Sequence, residues 1–296
     1  MNKFLHTNCI LCGSKLLNNI FGDQHFITKC KHCSFVFSRE EASKEELKNY
    51  YDVYPMENKI SDITNQRYNE ILDLFEPFRH SSKLFEFGCG EGYFLEIARK
   101  RNWVVAGTEI SKPLLEKCRN KNITVYDNFE NIPLSEKGTY DILVSIEVIE
   151  HLSPPLLFTN FFNSILRDGG GLYMTTPNFN CLSRFILGRK WNNIIYPEHL
   201  CYYSAKTMKL TLNKSGFEQV FTKTLGISPA RYKYAFMNWK YKKGEAKVHY
   251  DYNEKDRNIR EQIENQKLLS FLKIIVNKLL NITRLGESLK IFYLKK

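Results

Sequence analysis

Lys83-Leu-Phe-Glu86-Phe-Gly88-Cys89-Gly90-Glu-Gly92-Tyr93 is the stretch on which the fold turns. Its apolar start reads as a buried strand, and the three alternate glycines read as a tight turn into a helix over Tyr93 to Asn102. Such a turn lets backbone approach a ligand closely, and the helix behind it offers free amides. The dinucleotide fingerprint would require glycine at Tyr93, so the third glycine comes one residue early. A second apolar strand, Trp103 to Thr108, ends in Glu109, seventeen residues after Gly92. A carboxylate at that strand tip can accept from both hydroxyls of a ribose. Ser111 then stands where it would cap a helix over Lys112 to Asn120. The alternation of short strands and helices predicts an α/β core with a parallel sheet.

Outward from this core, charge divides the chain. Of 296 residues, 43 are Lys or Arg and 32 are Asp or Glu, a net +11. Residues 205–296 hold 20 of the basic residues and 8 of the acidic ones, so the basicity lies wholly in the C-terminal third. No apolar run reaches the ~18 residues of a membrane-spanning helix. Met1 to Leu11 carries His6, Asn8 and Cys9 where a signal peptide would need an apolar core. The chain is therefore expected in the cytoplasm, and its cysteines as thiols or metal ligands.

Toward the N-terminus, Cys9-x-x-Cys12 and Cys30-x-x-Cys33 form two knuckles with seventeen residues between them. Each knuckle points two thiolates at one cation, and the pair predicts a closed, structural four-cysteine zinc site. Leu16 to Thr28 suits a short hairpin between them. A unit of about forty residues cannot fold on apolar burial alone, so the metal would supply the folding energy. Cys89, Cys118, Cys181 and Cys201 have no such spacing and read as ordinary small residues. Ser38 to Ser81 reads as a connector with helical spacing over Glu40 to Tyr51 and Ile63 to Phe75.

Taken together, these motifs resemble the class I S-adenosylmethionine-dependent methyltransferases. Glu86-x-Gly88-x-Gly90-x-Gly92 is similar to that family's first motif, and Glu109 to its ribose-binding acid. Tyr140 to Leu152 resembles the fourth strand and its turn, Asp168 to Asn178 the entry to the fifth strand and its end, and Pro197 to Ser204 the loop beyond. Gly286 to Leu294 resembles the last strand. The resemblance covers roughly Ser81 to Leu225 and the final eleven residues. It implies a Rossmann-like seven-stranded sheet with an N-terminal zinc ribbon (1–38), a helical connector (39–80), a core (81–225 and 286–296) and a helical insertion (226–285) before the last strand. It assigns S-adenosyl-L-methionine to Glu86, Gly88, Cys89, Gly90, Gly92, Glu109, Ile110, Asn128, Phe129 and Glu147. Asn128 stands where many relatives carry an acid that accepts from the adenine amino group, and Phe129 is placed to stack on the ring. The ribbon resembles a branch associated with methylation of sugars or other cell-surface precursors.

An acceptor must lie near the C-terminal ends of the strands. His151 after the fourth strand and His199 after the fifth are candidates for a general base, with Glu198 beside His199; a Glu-His pair in a similar loop is a proposed base in related sugar C-methyltransferases. Each histidine could instead tie down its loop, and Tyr196, Tyr202 and Tyr203 could line a pocket or simply pack. Arg231 to Lys243 interleaves aromatic and basic residues, and Ile259 to Ile282 carries a broad apolar stripe edged by lysines. The stripe suits a helix packed on its own domain, one lying on anionic lipid, or an oligomer contact. The leading expectation is methyl transfer to O or C of a small, phosphate-bearing acceptor such as a nucleotide-linked or surface-polysaccharide sugar, its phosphates met by the basic insertion. A lipid or quinone acceptor at a membrane surface comes second. RNA comes third, because residues 1–40 carry only Lys3, Lys15, Lys29, Lys31 and Arg39 as basic residues.

Overall fold

The computed structural model describes residues 5–22, 27–41, 60–227 and 266–296. It begins with three short antiparallel strands, β1 (Leu17–Asn19), β2 (Ile27–Cys30) and β3 (Val36–Ser38). Helix α1 (Asp62–Phe75) follows, capped by the Ser61 hydroxyl, which accepts from the Thr64 N–H at 3.2 Å. The expected helix over Glu40 to Tyr51 lies almost wholly outside the described residues.

The core alternates as the glycine turn predicts. It runs β4 (Lys83–Phe87), α2 (Tyr93–Lys100), β5 (Val104–Thr108), α3 (Lys112–Asn120), β6 (Thr124–Tyr126), β7 (Tyr140–Ile146), α4 (Pro155–Ile165), β8 (Leu166–Pro177) and α5 (Leu182–Leu187). After it come β9 (Cys201–Tyr202), α6 (Ala205–Lys214), β10 (Phe217–Leu225), α7 (Lys267–Thr283) and β11 (Ser288–Lys295). Helix α2 stops short of the expected Asn102, because that residue takes a left-handed φ of 63° to turn into β5. Ser111 does stand at the N-cap of α3, but its hydroxyl makes no capping bond; the Glu109 carboxylate accepts from the Ser111 N–H at 2.8 Å.

Seven strands form one sheet in the order β10-β11-β8-β7-β4-β5-β6, with β11 antiparallel to both neighbours. Chain order reverses between β4 and β7, the place where open α/β sheets bind ligands. The strands alternate between two apolar layers. Phe85 and Phe87 of β4 and Leu143 of β7 join one layer with Phe162 of α4 and Leu212 of α6. Leu84, Ile142 and Val144 join the other with Phe75 of α1 and Phe94 and Leu95 of α2. At the N-terminal end of β7, fully buried Asp141 accepts from Arg167 Nε at 2.6 Å and from the N–H groups of His80 and Ser81 at 2.8 and 2.7 Å. Burial alone would raise this carboxyl; the guanidinium and the two amides outweigh it and hold it below its ordinary value.

The cysteine ribbon does not stand apart. Strand β9, eight residues before α6 reaches mid-length, pairs antiparallel with β3 and completes a four-stranded sheet, β1-β2-β3-β9. Phe35 packs edge-on against Tyr203 at 5.3 Å, and both are fully buried in the same apolar layer as Phe85. Tyr202 and Tyr203 thus weld ribbon to core.

Candidate functional site

The two strand ends at the order reversal touch. A Cβ on Gly88 would stand 2.7 Å from Val148, just beyond β7, and φ is +75° there. Gly92, at φ +73°, is crowded in the same way by Ile123 and Cys118. Gly90 is different: it also has positive φ, but a Cβ there would meet nothing within 4 Å. That open space leaves room for a bound group to approach the backbone.

Glu109 lies at the tip of β5, 8% exposed, and accepts from the Gly90 N–H at 2.9 Å as well as from Ser111. Burial raises its carboxyl, and the amides of Ser111 and Gly90 pull it back. Glu86 is buried, its Oε2 has no hydrogen-bond partner, and burial pushes it well above the carboxylate range. An orphaned buried oxygen, an open cradle at Gly90 and an acid at the strand tip fit a polar, ribose-bearing cofactor such as S-adenosylmethionine. Ile110, 61% exposed beside Glu109, offers an apolar surface at the same edge. Asn128 and Phe129 follow β6 on that edge. The Asn128 side chain is engaged locally, accepting from the Glu130 N–H at 3.2 Å, and Phe129 sits in a ring cluster with Phe158 and Phe161 at 5.3 and 5.1 Å. Cys89 and Cys118, which spacing leaves unrelated, lie 3.9 Å apart behind the turn, and the Cys118 thiol donates to the Gly90 carbonyl at 3.2 Å.

Across the crevice, Glu147 takes a left-handed φ of 54° at the end of β7, a strained conformation of the kind that clusters at functional sites. The chain then turns to bring Glu150, His151 and His199 together, with ligand atoms within 4.8 Å of one another, an arrangement that could also hold a cation. The two imidazole rings meet edge-to-face at 4.9 Å. His199 Nδ1 lies 2.8 Å from the Asn193 carbonyl, which can only accept, so Nδ1 carries a proton and Nε2 is the nitrogen left for other work. A backbone carbonyl thus orients His199. Burial and the neighbouring His199 push His151 down to about 3, so its 3.8 Å approach to Glu150 is not an ion pair at neutral pH. Glu150 accepts from Thr176 Oγ1 at 2.8 Å and is raised well above its usual range by burial and the nearby Glu147. Glu198, 8% exposed, adjoins the cluster.

Three further groups at this site fall outside the sequence-based expectations. Glu150 was visible only as part of a motif, although its spacing three residues after Glu147 and beside His151 was the available signal. Both amide atoms of Asn192 are buried without partners, one residue from the carbonyl that orients His199. Finally, a cavity of about 330 Å³ lies between ribbon and core, lined in part by Phe21, Lys29, Phe179, Arg184, Tyr202 and Lys206. Its three cations have no carboxylate partner among the described residues. Tyr202 connects the cavity to the crevice by donating its hydroxyl to the His199 carbonyl at 3.0 Å.

The four N-terminal cysteines converge as the spacing predicts. The Cys9–Cys33 and Cys12–Cys30 sulfur pairs are 3.6 and 3.7 Å apart, and all four lie within 4.8 Å. A tetrahedral site with zinc–sulfur bonds of ~2.3 Å has edges of about 3.8 Å, so the set fits that ion. The two knuckles repeat one geometry: Gly13 N–H donates to the Cys9 carbonyl and Ser34 N–H to the Cys30 carbonyl, with positive φ at both Gly13 and Ser34.

This sheet order and crevice define a Rossmann-like, class I methyltransferase fold. The chain belongs to the family described as "Methyltransferase domain", which residues 61–221 match. It is similar to the ubiquinone biosynthesis O-methyltransferase of Vibrio parahaemolyticus, 24% identical over 47% of this chain and 62% of the relative. It is likewise similar to the mitochondrial enzyme of that name from Dictyostelium discoideum, 26% identical over 43% of this chain and 50% of the relative. The chain thus spans between half and two thirds of these relatives. Among solved structures, a SAM-dependent methyltransferase from Archaeoglobus fulgidus superposes with a TM-score of 0.51 at 18% identity, covering 79% of this chain and 94% of that one. Phosphoethanolamine N-methyltransferase 2 of Haemonchus contortus, in complex with S-adenosyl-L-methionine, gives 0.53 at 16% identity, covering 88% and 61%. Among the described residues no helix is long and apolar enough to cross a membrane.

Proposed function

We propose that this chain transfers a methyl group from S-adenosylmethionine to an oxygen or carbon of a small, phosphate-bearing acceptor, such as a nucleotide-linked or surface-polysaccharide sugar. The observation that carries the reading is the cavity at the ribbon seam, where Lys29, Arg184 and Lys206 meet aromatic walls with no carboxylate partner among the described residues. The basic insertion, expected to meet the phosphates, lies mostly outside the described residues; the seam supplies cations from elsewhere.

When bound, S-adenosylmethionine supplies an electrophilic methyl on a good leaving group, so the protein's task is mainly alignment. Glu86, the backbone of Gly88 to Gly92, Glu109 and Ile110 would hold the cofactor, with Asn128, Phe129 and Glu147 at its margins. His199 is oriented to receive a proton from the acceptor at Nε2. His151, uncharged at neutral pH, lines the same wall, and Glu150 and Glu198 set the polarity around it. Cys9, Cys12, Cys30 and Cys33 would hold a structural zinc ion that keeps Lys29 at the seam.

A second reading, a quinone acceptor, draws support from the names of the two relatives. Labelled methyl donor supplied with fractionated extract separates the readings. Label in water-soluble sugar phosphates or nucleotide sugars supports the first; label in the lipid phase favours the second, and label in RNA contradicts both.

A further inference from the structure

Helix α7 is inside out. Its seventeen residues contain no acid, and Lys267, Lys273 and Lys278 are its only charged residues, with Arg284 directly after it. The face turned to the protein is the polar one. Asn281 Oδ1 accepts from the Thr224 N–H at 3.0 Å, and Asn277 Oδ1 from the Gly226 N–H at 2.9 Å, so the two amides cap the end of β10. Leu280 is the one large apolar residue of the helix that is buried among the described residues. At ~100° per residue, Phe271, Ile275, Leu279 and Ile282 fall on the opposite face. These four are 60%, 42%, 57% and 69% exposed, and Leu272, Ile274 and Val276 extend the exposed area on either side.

A contiguous apolar face of this size marks a contact surface. The charge decides what it contacts. A second copy of this chain, docked symmetrically through α7, would set Lys278 against a helix that carries no acid to receive it. An anionic lipid surface accepts both parts: the apolar side chains enter the acyl boundary, and exposed Lys278 at the edge of the face reaches the headgroups. In sequence, residues 231–247, upstream of the helix, add six Lys/Arg against one acid, interleaved with Tyr232, Tyr234, Phe236, Trp239 and Tyr241. At seventeen residues α7 is too short to span a bilayer, which needs ~20.

We propose that α7 is an interfacial helix that docks this protein, apolar face down, on anionic lipid. The proposal holds whichever acceptor the crevice takes. The full chain should partition onto phosphatidylcholine vesicles that contain phosphatidylglycerol, weakly onto phosphatidylcholine alone, and less as salt is raised. The double variant Ile275→Asp, Leu279→Asp should lower partitioning at least about tenfold. Its affinity for S-adenosylmethionine, measured alongside, should match the parent chain and so report an intact fold. Equal binding to neutral and anionic vesicles, no binding, or undiminished binding by the folded double variant would each overturn the proposal. So would a dimer of the parent chain that the double variant dissociates, since a second copy would then own the face. Should the double variant fail to fold, Lys278→Glu, at the edge of the face, should weaken binding to anionic vesicles in the same direction.

Discussion

On the β4–β5 side of the crevice, nearly every candidate contact comes from one short stretch: Glu86 to Gly92 and then Glu109 and Ile110. On the β7–β8 side, the groups proposed to face an acceptor come from five places: Lys29 in the ribbon, Glu150 and His151 after β7, Arg184 in α5, Asn192 and His199 in the following loop, and Lys206 in α6. The first half is made by backbone geometry, the second by packing between segments distant in sequence. A cofactor site built on a turn is local and repeatable. An acceptor site built at such a seam would change with any of its five contributors, and specificity would reside there. The two halves should therefore fail separately when each is perturbed.

Stripping the metal should have the largest effect. Structural zinc sites of this kind contribute on the order of 10 kcal/mol, so chelation or Cys9→Ser should unfold the ribbon and carry Lys29 away from the seam. Metal analysis should find one zinc per chain before treatment. Methyl transfer should cease while binding of S-adenosylmethionine persists. Loss of both together would mean that the halves are not independent.

His199→Ala should come next, lowering turnover by about 10²–10⁴-fold, the usual worth of a general base, with cofactor affinity unchanged. Normal turnover would remove His199 as the base and leave it as a loop anchor. Asp141→Asn works beneath both halves. Breaking this buried pair should cost about 3 kcal/mol at neutral pH, read by denaturant titration. Because the native carboxylate releases its proton more readily than the unfolded one, its contribution is present at neutral pH and lost as pH falls through the depressed native value, below the ordinary ~4. The variant and parent should thus converge in acid. The smallest effect belongs to Lys29→Ala with Lys206→Ala. KM for a phosphate-bearing acceptor should rise about tenfold with kcat unchanged, and an acceptor lacking phosphate should show no difference.

The same contrast explains what could be read from the residues. The glycine spacing, Glu109 and the cysteine knuckles are short-range patterns whose physics is local, so strand β4, helix α3 and the thiolate cluster appear where expected. The ribbon's fourth strand could not be read, because Cys201–Tyr202 pairs with β3 across more than half the chain. Nor could the Cys89–Cys118 contact or the three-cation seam, which exist only once the segments pack. Helix α7 is the sharpest case. Its periodicity announces an apolar stripe, but periodicity cannot say which way the stripe points. That is settled by Asn277 and Asn281, which satisfy the open amides at the end of β10 and turn the stripe outward.

Calorimetric titration with S-adenosylmethionine tests the central claim most directly. The parent chain should bind one equivalent. Gly90→Arg, which fills the one open position of the turn, should abolish that binding while zinc content stays at one per chain. Binding by Gly90→Arg with unchanged affinity, or none by the parent chain, would contradict the account.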